Sequence, residues 1–583
     1  MIQSNQLVSA DTALMALAPA HPNSPDIFRL LGQLRFAQGR EREGCEALSR
    51  ATTLSPNDFG AWLDFGYALL RTSAPEQAQS AFANAERCQR GNVDAQLGMA
   101  IAASDQGHYA NAIALLKKLL NQQPSNAAGW HNLAFNYSQS GEFTEVVRCA
   151  KRALAYTPED ESSVVLLVSA LLRLHELEQA QQALDLWFGR FGRNRSAVLL
   201  NFQGEIHLLG GDGSAAVSAF RAAVALEPTN AMLRNNLSKA LEFTGQFAEA
   251  ITAAREALTL SDNPMCHLQL SLLLLGSGQT AEGWKHYLRR PLNSTFIRPF
   301  SSALDQHSGP GSTSNLVGRN LVIVGEQGLG DVVFFLRFLP LLKGIANAVY
   351  LDVDTRLHEI LRSSQELSWI HLFSPSTSVI DPITLPLGDI PALLACASFP
   401  GPLRFQPTEL TLLGTQQRLS KLGPPPYIGV SWEAGSKPLI GSRAGVDMFK
   451  RIDPALLGEH LRAREGTFVI LQRNPDASDV AKFTQTLGRQ AADCSDINAD
   501  LSSALAMLAT LDEYIAVSNT NLHLRAGVTS SEVKHTTVLV CHPPEWRWGH
   551  QGSESPWFPG IRVLRELAPS GYPGTWSGAL SAL

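Results

Sequence analysis

The chain has 583 residues, of which 45% are hydrophobic and 17% are charged. This length exceeds what one hydrophobic core serves and predicts several domains, and the apolar content is that of a folded protein rather than a disordered one. The 47 basic and 53 acidic side chains leave a net charge of −6, which excludes a general electrostatic attraction for nucleic acid.

The spacing of the cysteines and the length of the apolar runs indicate the cellular compartment of the protein. Seven cysteines are scattered along the chain without a Cys-x-x-Cys pair, which favours reduced thiols over a disulfide framework or a zinc site. The first residues lack a basic segment ahead of an apolar run, so no signal peptide is expected. No apolar run reaches the roughly 20 residues of a membrane-spanning helix. We therefore expect a cytoplasmic protein without a membrane span or a metal site.

The N-terminal half repeats itself with a period of about 34 residues. Pro124 and Pro158 are 34 residues apart, Pro56 precedes them by twice that distance, and each proline follows a helical pattern. This period is typical of tetratricopeptide repeats, in which paired helices bury their apolar faces against neighbouring pairs. The sequence predicts about seven or eight units, forming an all-α superhelix over residues 1–290.

The predicted first helices of these units carry asparagines that can face a common groove. An asparagine amide holds a peptide backbone well because it offers two donors and an acceptor. We therefore expect the repeats to bind a protein segment. The alternative is a spacer or dimerisation surface with the asparagines bonded to the next repeat, and a homo-oligomer is left open. The residues concerned are Asn132, Asn136, Asn201, Asn235 and Asn236.

A Pro-, Ser- and Gly-rich stretch at 291–315 predicts a linker, and the pattern changes after it. Short β-type apolar runs now alternate with helical patterns, which predicts parallel sheets covered by helices. Three prolines at 424–426 divide this region into two doubly wound, Rossmann-like lobes, 316–422 and 423–583. The predicted strands are Leu321–Val324, Val349–Val353, Trp369–Phe373, Tyr427–Ser431, Phe468–Leu471, Tyr514–Val517 and Val538–Cys541.

The glycine-rich turn at 325–331 follows the first of these strands and precedes an apolar helical pattern. Such a turn presents helix-terminal N–H groups at the mouth of a parallel sheet, where anionic ligands bind. The sequence therefore predicts a binding site at this turn. Its members are Glu326, Gln327, Gly328, Gly330 and Asp331.

Several segments in the C-terminal half resemble bacterial glycosyltransferases related to the heptosyltransferases. They are GEQGLGD followed by FLRFLPLL, YIGVSWEAGSK at 427–437, FVILQRNPD at 468–476, YIAVSNTNLHLRAGV at 514–528, and PPEWRWGHQGSESPWFPGIRVLRE at 543–566. The matching segments occur in order between residues 316 and 570. With the repeats in front, the architecture is also similar to that of O-linked N-acetylglucosamine transferases. The resemblance implies a two-lobed GT-B fold, a nucleotide-sugar held mainly by the second lobe, and inverting, metal-independent transfer.

The resemblance also implies roles for individual residues. Asp331 matches the catalytic aspartate and Glu326 is its substitute, while helix N-capping is the alternative role for Asp331. Asn519 stands where the family has an aspartate, and Arg525 takes an alanine position. Contacts to the donor or its phosphates are implied for Gly328, Gly330, Lys437, Gln472, Ser518, Asn519, Thr520, Asn521, His523 and Arg525.

The aromatic C-terminal segment allows two interpretations. Arg547 and Trp548, together with Gln327 and Trp432, are candidate cleft residues that face the donor or the acceptor. Alternatively, the tryptophans of this segment staple the two lobes together by folding back on them.

Repeats and transferase motifs together predict a glycosyltransferase that moves a sugar from a nucleotide-sugar to a Ser or Thr hydroxyl of a protein held by the repeats. Bacterial surface proteins such as flagellin are acceptors by analogy only. No cofactor is expected besides the nucleotide-sugar co-substrate. Two alternatives stay open: a non-catalytic repeat scaffold with a degenerate transferase domain, and a transferase acting on a glycan or lipid-linked saccharide.

Overall fold

The computed structural model describes residues 7–192, 196–292, 316–374, 376–434, 450–528, 534–566 and 576–583. The described residues up to Phe202 form one compact unit, and those from Gln203 onward form a second.

Seventeen helices precede the first strand in the described part of the chain. From the second helix onward they form eight pairs whose starts recur at intervals close to 34 residues, which confirms the predicted all-helical repeat region. Their bounds are Leu7–Ala20 (α1), Pro25–Ala37 (α2), Glu41–Leu54 (α3), Phe59–Arg71 (α4), Pro75–Cys88 (α5), Val93–Asp105 (α6), Tyr109–Gln122 (α7), Ala127–Gln139 (α8), Phe143–Tyr156 (α9), Glu161–Arg173 (α10), Leu177–Phe191 (α11), Ala197–Leu209 (α12), Gly213–Leu226 (α13), Ala231–Phe243 (α14), Phe247–Leu260 (α15), Pro264–Gly276 (α16) and Thr280–Tyr287 (α17).

The interval of about 34 residues between helix pairs is set by capping residues and glycines that occur at corresponding positions in successive pairs. The side chains of Asp58, Asn92 and Asn126 each accept a hydrogen bond from a backbone N–H in the first turn of the following helix. These bonds satisfy donors that a helix terminus leaves unpaired, and so they fix where each first helix begins. The turn within a pair needs a left-handed residue, supplied for example by Gly107 at φ +75° and Gly141 at φ +77°.

Two parallel sheets form the remainder of the second unit in the described residues. The first runs in the order β3-β2-β1-β4 and the second in the order β12-β11-β10-β5-β8-β9, while β6 and β7 form an antiparallel pair. The strands are Asn320–Val324 (β1), Ala348–Asp352 (β2), His371–Leu372 (β3), Ile383–Pro386 (β4), Tyr427–Ser431 (β5), Glu433–Ala434 (β6), Lys450–Arg451 (β7), Thr467–Ile470 (β8), Ala491–Asp493 (β9), Glu513–Val517 (β10), His535–Val540 (β11) and Arg562–Arg565 (β12).

Short helices connect and cover these strands. The α-helices are Leu329–Phe335 (α18), His358–Arg362 (α19), Ile390–Leu393 (α20), Glu409–Leu422 (α21), Pro454–Leu461 (α22), Ala477–Leu487 (α23), Leu501–Thr510 (α24), Thr520–Ala526 (α25) and Ser577–Leu580 (α26). Short 3₁₀ helices lie at Leu336–Leu342, Thr355–Leu357, Gln365–Leu367, Leu387–Asp389, Ser495–Ala499 and Trp546–Trp548.

All seven predicted strands overlap observed ones, and Tyr427–Ser431 matches its strand end to end. The strand predicted at 369–373 shrinks to the two residues of β3. Five strands were missed, namely β4, β6, β7, β9 and β12, because each is only two to four residues long and is polar, interrupted by polar residues or ends on proline.

An aromatic cluster in the second unit joins the last repeat helix to the first sheet. The Trp284 ring of α17 lies edge-on to Phe335, Phe338, Trp546 and Trp557, with centroids 5.6 to 6.0 Å apart. Edge-to-face pairs of this kind add to the free energy of burying the rings. The boundary predicted at residue 290 therefore cuts a shared core, and residues 293–315 of the predicted linker lie outside the described residues.

The C-terminal segment around Trp546 also folds back onto the later repeat helices of its unit. His550 stacks on Phe247 with ring centroids 3.9 Å apart, and its backbone N–H bonds to the carbonyl of Gly276 at 3.1 Å. A side chain on Gly276 would collide with the His550 ring. Helices α15 and α16 are thus anchored to the segment around His550 by close packing.

Packing within the repeats gives a direct test of the glycine pattern. A Cβ on Gly66 would lie 2.5 Å from the Phe82 ring, whereas a Cβ on the exposed Gly189 of α11 would meet nothing within 4 Å. We expect Gly66→Ala to lower the free energy of unfolding by about 1 to 3 kcal/mol through overpacking. Gly189→Ala should raise it by up to about 1 kcal/mol through helix propensity. Thermal denaturation of both variants checks this, and an equal gain for both would contradict the packing account.

Candidate functional site

The glycine turn after β1 leads directly into α18 in the second unit. Gly328 precedes the helix in an extended conformation, and Asp331 is the third helical residue. Asp331 makes no capping hydrogen bond, so its predicted alternative role as an N-cap is wrong. Its side chain is 35% exposed, and Oδ1 accepts a hydrogen bond from Nη2 of Arg547.

Arg547 belongs to a chain of alternating charges. Its guanidinium is buried, donates from Nη1 to Glu545, and lies 4.8 Å from the Phe334 ring centroid. Lys450 completes the chain with Nζ 2.7 Å from the second oxygen of Glu545. Burial opposes the charged form of Glu545, but Lys450 and Arg547 hold its pKa well below the ordinary value. The chain thus links the C-terminal segment and β7 to the glycine turn.

Glu326 is held in a second buried ion pair. Arg290 donates from Nη2 to Glu326 Oε1 and from Nη1 to Asp389 Oδ1, each at 2.5 Å. Burial opposes the charge on Arg290, yet Asp389 and then Tyr287 and Glu326 raise its pKa above the ordinary value. The Glu326 side chain is only 11% exposed. Its predicted role as a substitute base is therefore corrected to a role in fixing the turn.

Gln327 and a neighbouring glycine complete that arrangement. Gln327 Nε2 donates to the Tyr287 hydroxyl at 2.9 Å and to Glu326 at 3.0 Å. A Cβ on Gly388 would lie 2.7 Å from Arg290 and 2.8 Å from Gln327, so the ion pair requires glycine there. Gln327 thus joins the turn to the end of α17.

The loop between β10 and α25 meets the glycine turn. A Cβ on Gly330 would lie 3.3 Å from Thr520 Oγ1, which shows how closely the two backbones approach. Asn519 Oδ1 accepts from the backbone N–H of Leu522 at 2.9 Å, and its Nδ2 donates to Ser431 Oγ at 3.2 Å. Asn519 is thus the N-cap of α25, a position that asparagine and aspartate fill equally well.

Two side chains beside this contact keep polar atoms unpaired. Ser518 Oγ and His523 Nδ1 are buried and have no hydrogen-bond partner among the described residues. Burial and then the charge of Arg547 lower the pKa of His523 well below its ordinary value, so the ring is neutral at physiological pH. His523 packs against Phe334 and Phe558. Because unpaired buried groups are costly, these two atoms mark the contact as a place for a polar ligand.

Two other residues predicted to contact the nucleotide-sugar form hydrogen bonds within the protein instead. Gln472 Oε1 accepts from Ser431 Oγ and from the backbone N–H groups of Trp432 and Glu433, at 2.9 to 3.1 Å. Asn521 Nδ2 donates to Asn498 Oδ1 at 3.0 Å. Both side chains are buried. Their predicted phosphate contacts are corrected to internal bonds that hold the strand ends in place.

The predicted phosphate clamp at Arg525 is also corrected. Its guanidinium is buried and donates to the carbonyls of Leu508 and Leu511 and, from Nε, to Thr536 Oγ1 at 3.2 Å. Burial lowers its pKa to about 10. These internal acceptors leave this arginine with a structural role in joining α24 to β11.

Both candidate cleft tryptophans are core residues. Trp432 is 1% exposed and packs on Phe483 with ring centroids 5.6 Å apart. Trp548 is fully buried and stacks on Phe558 at 4.5 Å. Their placement in a cleft is therefore wrong, because large indoles are better stabilised inside the core. Lys437 lies outside the described residues.

The asparagines predicted to line a groove differ in their surroundings. Asn132 and Asn136 each donate to the carbonyl four residues earlier in α8, at 2.9 and 2.8 Å. Asn235 of α14 is fully buried, and neither its amide oxygen nor its amide nitrogen has a partner among the described residues. The expectation that α8 offers free amide donors is corrected, since these donors bond to their own helix.

No described helix combines the length and the apolar character that crossing a bilayer requires. Among the described residues, no three His, Cys, Asp or Glu side chains are grouped so as to hold a metal ion.

The ion pair at Arg547 gives a test of the site's construction. Arg547→Met removes the partner of the buried Glu545 and of Asp331, and breaking a buried pair costs about 3 to 5 kcal/mol. The matched control is Arg255→Met, which breaks a surface pair with the 40% exposed Glu282 and should cost at most about 1 kcal/mol. Urea denaturation measures both. Equal losses of stability would contradict the proposed importance of Arg547.

A carboxylate on α14 gives a pH-dependent test. Burial raises the pKa of Glu242 to about 7, against the opposing effects of a hydrogen bond from Gln269 and the charge of Lys239. The folded pKa lies above the ordinary 4.5, so this residue's contribution to stability falls as the pH rises from 4.5 through 7. Glu242→Gln keeps the acceptor and cannot ionise. Its melting temperature relative to wild type should be higher at pH 8 than at pH 5.

The control for Glu242→Gln is Glu249→Gln, which removes the same charge from a 60% exposed side chain on α15. If the difference in melting temperature between Glu242→Gln and wild type did not change with pH, the raised pKa of Glu242 would be contradicted.

Comparison with known proteins identifies the repeats. Tetratricopeptide-repeat models match residues 63–127, 103–164 and 203–263. Protein FlbA of Caulobacter vibrioides (strain ATCC 19089 / CIP 103742 / CB 15) is 26% identical over 577 residues, which cover 86% of this chain and 94% of that relative.

Two solved structures illustrate the similarity of this chain to known folds. A tetratricopeptide repeat protein from Parabacteroides merdae matches 43% of this chain and 98% of its own, with 12% identity and a TM-score of 0.35. The Cut9–Hcn1 hetero-tetramer of the APC/C matches 46% of this chain and 53% of its own, with 16% identity and a TM-score of 0.34. The matching family models alone show that the N-terminal region carries tetratricopeptide repeats, which are typical of protein-interaction scaffolds.

Proposed function

We propose that this chain is a glycosyltransferase of the two-lobed GT-B type that transfers a sugar from a nucleotide-sugar to a protein hydroxyl. One observation carries the proposal: the partly exposed Asp331 carboxylate belongs to the turn at the carboxyl end of one parallel sheet, and its neighbour Gly330 closely approaches Thr520 at the carboxyl end of a strand of the other sheet. Ligands of parallel α/β sheets bind at this edge. The repeats supply the surface that recruits the acceptor protein.

In the proposed transfer, the glycine turn and the Ser518–Thr520 loop have different roles. Asp331 accepts the proton of the acceptor hydroxyl, whose oxygen then bonds to the anomeric carbon as the bond from that carbon to the diphosphate breaks. Arg547 holds Oδ1 of Asp331 and leaves the other oxygen for the incoming proton. Thr520 and His523 lie against Gly330 of the turn, and their side chains, with the hydroxyl of Ser518, are the proposed donors to the departing diphosphate.

The free thiols of all seven cysteines support a cytoplasmic setting for this reaction. The proposed donor is a co-substrate, and the transfer needs no resident cofactor.

The test begins with the donor. UDP, GDP, ADP, CMP and their common sugar conjugates are screened by thermal shift, because a ligand that binds only the native state raises the melting temperature. The conjugate that binds is then incubated with the chain and a candidate surface protein such as flagellin, and the added sugar mass is measured.

Asp331→Asn is expected to lower transfer by about a hundredfold or more, since a general base contributes at least that much. The nucleotide-induced thermal shift should persist. The matched control is Asp354→Asn, which alters another partly exposed aspartate paired with an arginine, just after β2. Transfer that survives Asp331→Asn, or falls equally in both variants, would remove Asp331 from the role of base.

A second candidate function is a non-catalytic scaffold, favoured by the internal bonds of Gln472, Asn521 and Arg525. Because these side chains are bonded within the protein, fewer of the residues in the transferase-like motifs can bind a diphosphate. The scaffold predicts no thermal shift with any nucleotide and capture of a partner that is unchanged by Asp331→Asn.

A further inference from the structure

A pocket of about 470 Å³ opens among α9, α10 and α11 in the first unit. Its apolar floor is formed by Val164, Leu167 and Leu171 of α10, all of them buried. Leu186 of α11 also lines it and is 78% exposed. A pocket of this volume is within the range that binds ligands, and an exposed leucine beside an apolar floor is typical of an interaction surface.

The pocket coincides with a local departure from the repeat pattern. Trp187 lines it and is the eleventh residue of α11. The equivalent position in the second helices of six other pairs carries alanine five times and leucine once, and all six are buried. These residues are Ala51, Ala85, Leu119, Ala153, Ala223 and Ala257. Small residues at this position let neighbouring helices approach closely. The larger indole of Trp187 prevents such an approach and lines a pocket instead, which the repeat fold does not require.

The charges around the pocket are of one sign. Lys151 and Arg190 line it, and no aspartate or glutamate does. Lys151 Nζ donates to Gln179 Oε1 at 3.3 Å, and the Arg190 guanidinium lies 5.3 Å from the Phe191 ring centroid. Within the described residues, neither cation forms an ion pair with a carboxylate. The rim is therefore suited to negative charge beside an apolar group.

We propose that this Trp187 pocket, formed by the lining residues of α9, α10 and α11, binds an acidic amphipathic segment of a partner protein. A bulky apolar side chain of that segment occupies the floor and covers Leu186, while neighbouring carboxylates face Lys151 and Arg190. Lys151, Arg190 and Leu186 lie on α9 and α11, the second helices of their pairs, and none of the first-helix asparagines lines the pocket. The proposal concerns binding alone and holds whether or not the chain transfers a sugar.

The probe is a phage-displayed library of random dodecapeptides, selected on the full chain at low ionic strength. Enriched peptides are expected to combine Asp or Glu with a large apolar residue. One such peptide, labelled with fluorescein, is titrated with the full chain, and its anisotropy gives the Kd. The Kd should rise with salt concentration, because screening weakens the contacts of the exposed cations.

Variants at the pocket locate the binding. Leu186→Ser and the double variant Lys151→Glu/Arg190→Glu should each raise the Kd about tenfold or more, as expected when a central apolar contact or a complementary charge is lost. Matched controls are Leu410→Ser, an 81% exposed leucine on α21, and Arg152→Glu, an exposed neighbour of Lys151 that does not line the pocket. The controls should leave the Kd within about twofold.

Three results would overturn the proposal. The first is that peptides selected on the wild-type chain are no richer in acidic and large apolar residues than peptides selected on the Lys151→Glu/Arg190→Glu variant. The second is a Kd that the pocket variants leave unchanged. The third is sedimentation showing that the chain self-associates and that Leu186→Ser abolishes it, which would assign the pocket to a second copy of this chain.

Discussion

Two buried arginines hold the glycine turn in the conformation on which the candidate site depends. A buried guanidinium without acceptors would be strongly destabilising, and Arg547 finds its charged acceptors in Glu545 and Asp331, as Arg290 does in Glu326 and Asp389. Arg547 comes from the C-terminal segment, and Arg290 comes from the residues after the last repeat helix. The turn is thus fixed by parts of the chain far apart in sequence, and its carboxylates cannot be understood from the local motif alone.

This constraint gives the two acidic residues of the turn different functions. Glu326 is nearly enclosed by its partners, whereas Asp331 keeps about a third of its side chain exposed. The same aromatic cluster that buries Arg547 also includes Trp284 of the final repeat helix. A truncation that removes the repeats through residue 290 would therefore take both Trp284 and Arg290 from the core around the turn.

Periodic features were predictable from the sequence, and features created by distant contacts were not. The period of about 34 residues gave the helix pairs, and the apolar runs gave seven strands, because both patterns report local burial. The exposure of Asp331 and its partner Arg547 depends on folding of the C-terminal segment. Likewise, Gln472, Arg525 and Trp432 have the residue types of a binding site but are used internally. Their burial is decided by packing partners more than ten residues away, which a motif does not specify.

Hydrogen–deuterium exchange on the full chain tests the central claim most directly, that the two sheet edges form one binding site. Exchange is measured with and without the nucleotide-sugar that produces the largest thermal shift, at saturating concentration. The account predicts slower exchange in both the 325–331 turn and the 518–523 segment, because a bound ligand removes these amides from opening motions. Protection confined to one of the two segments, or found only elsewhere, would contradict the claim.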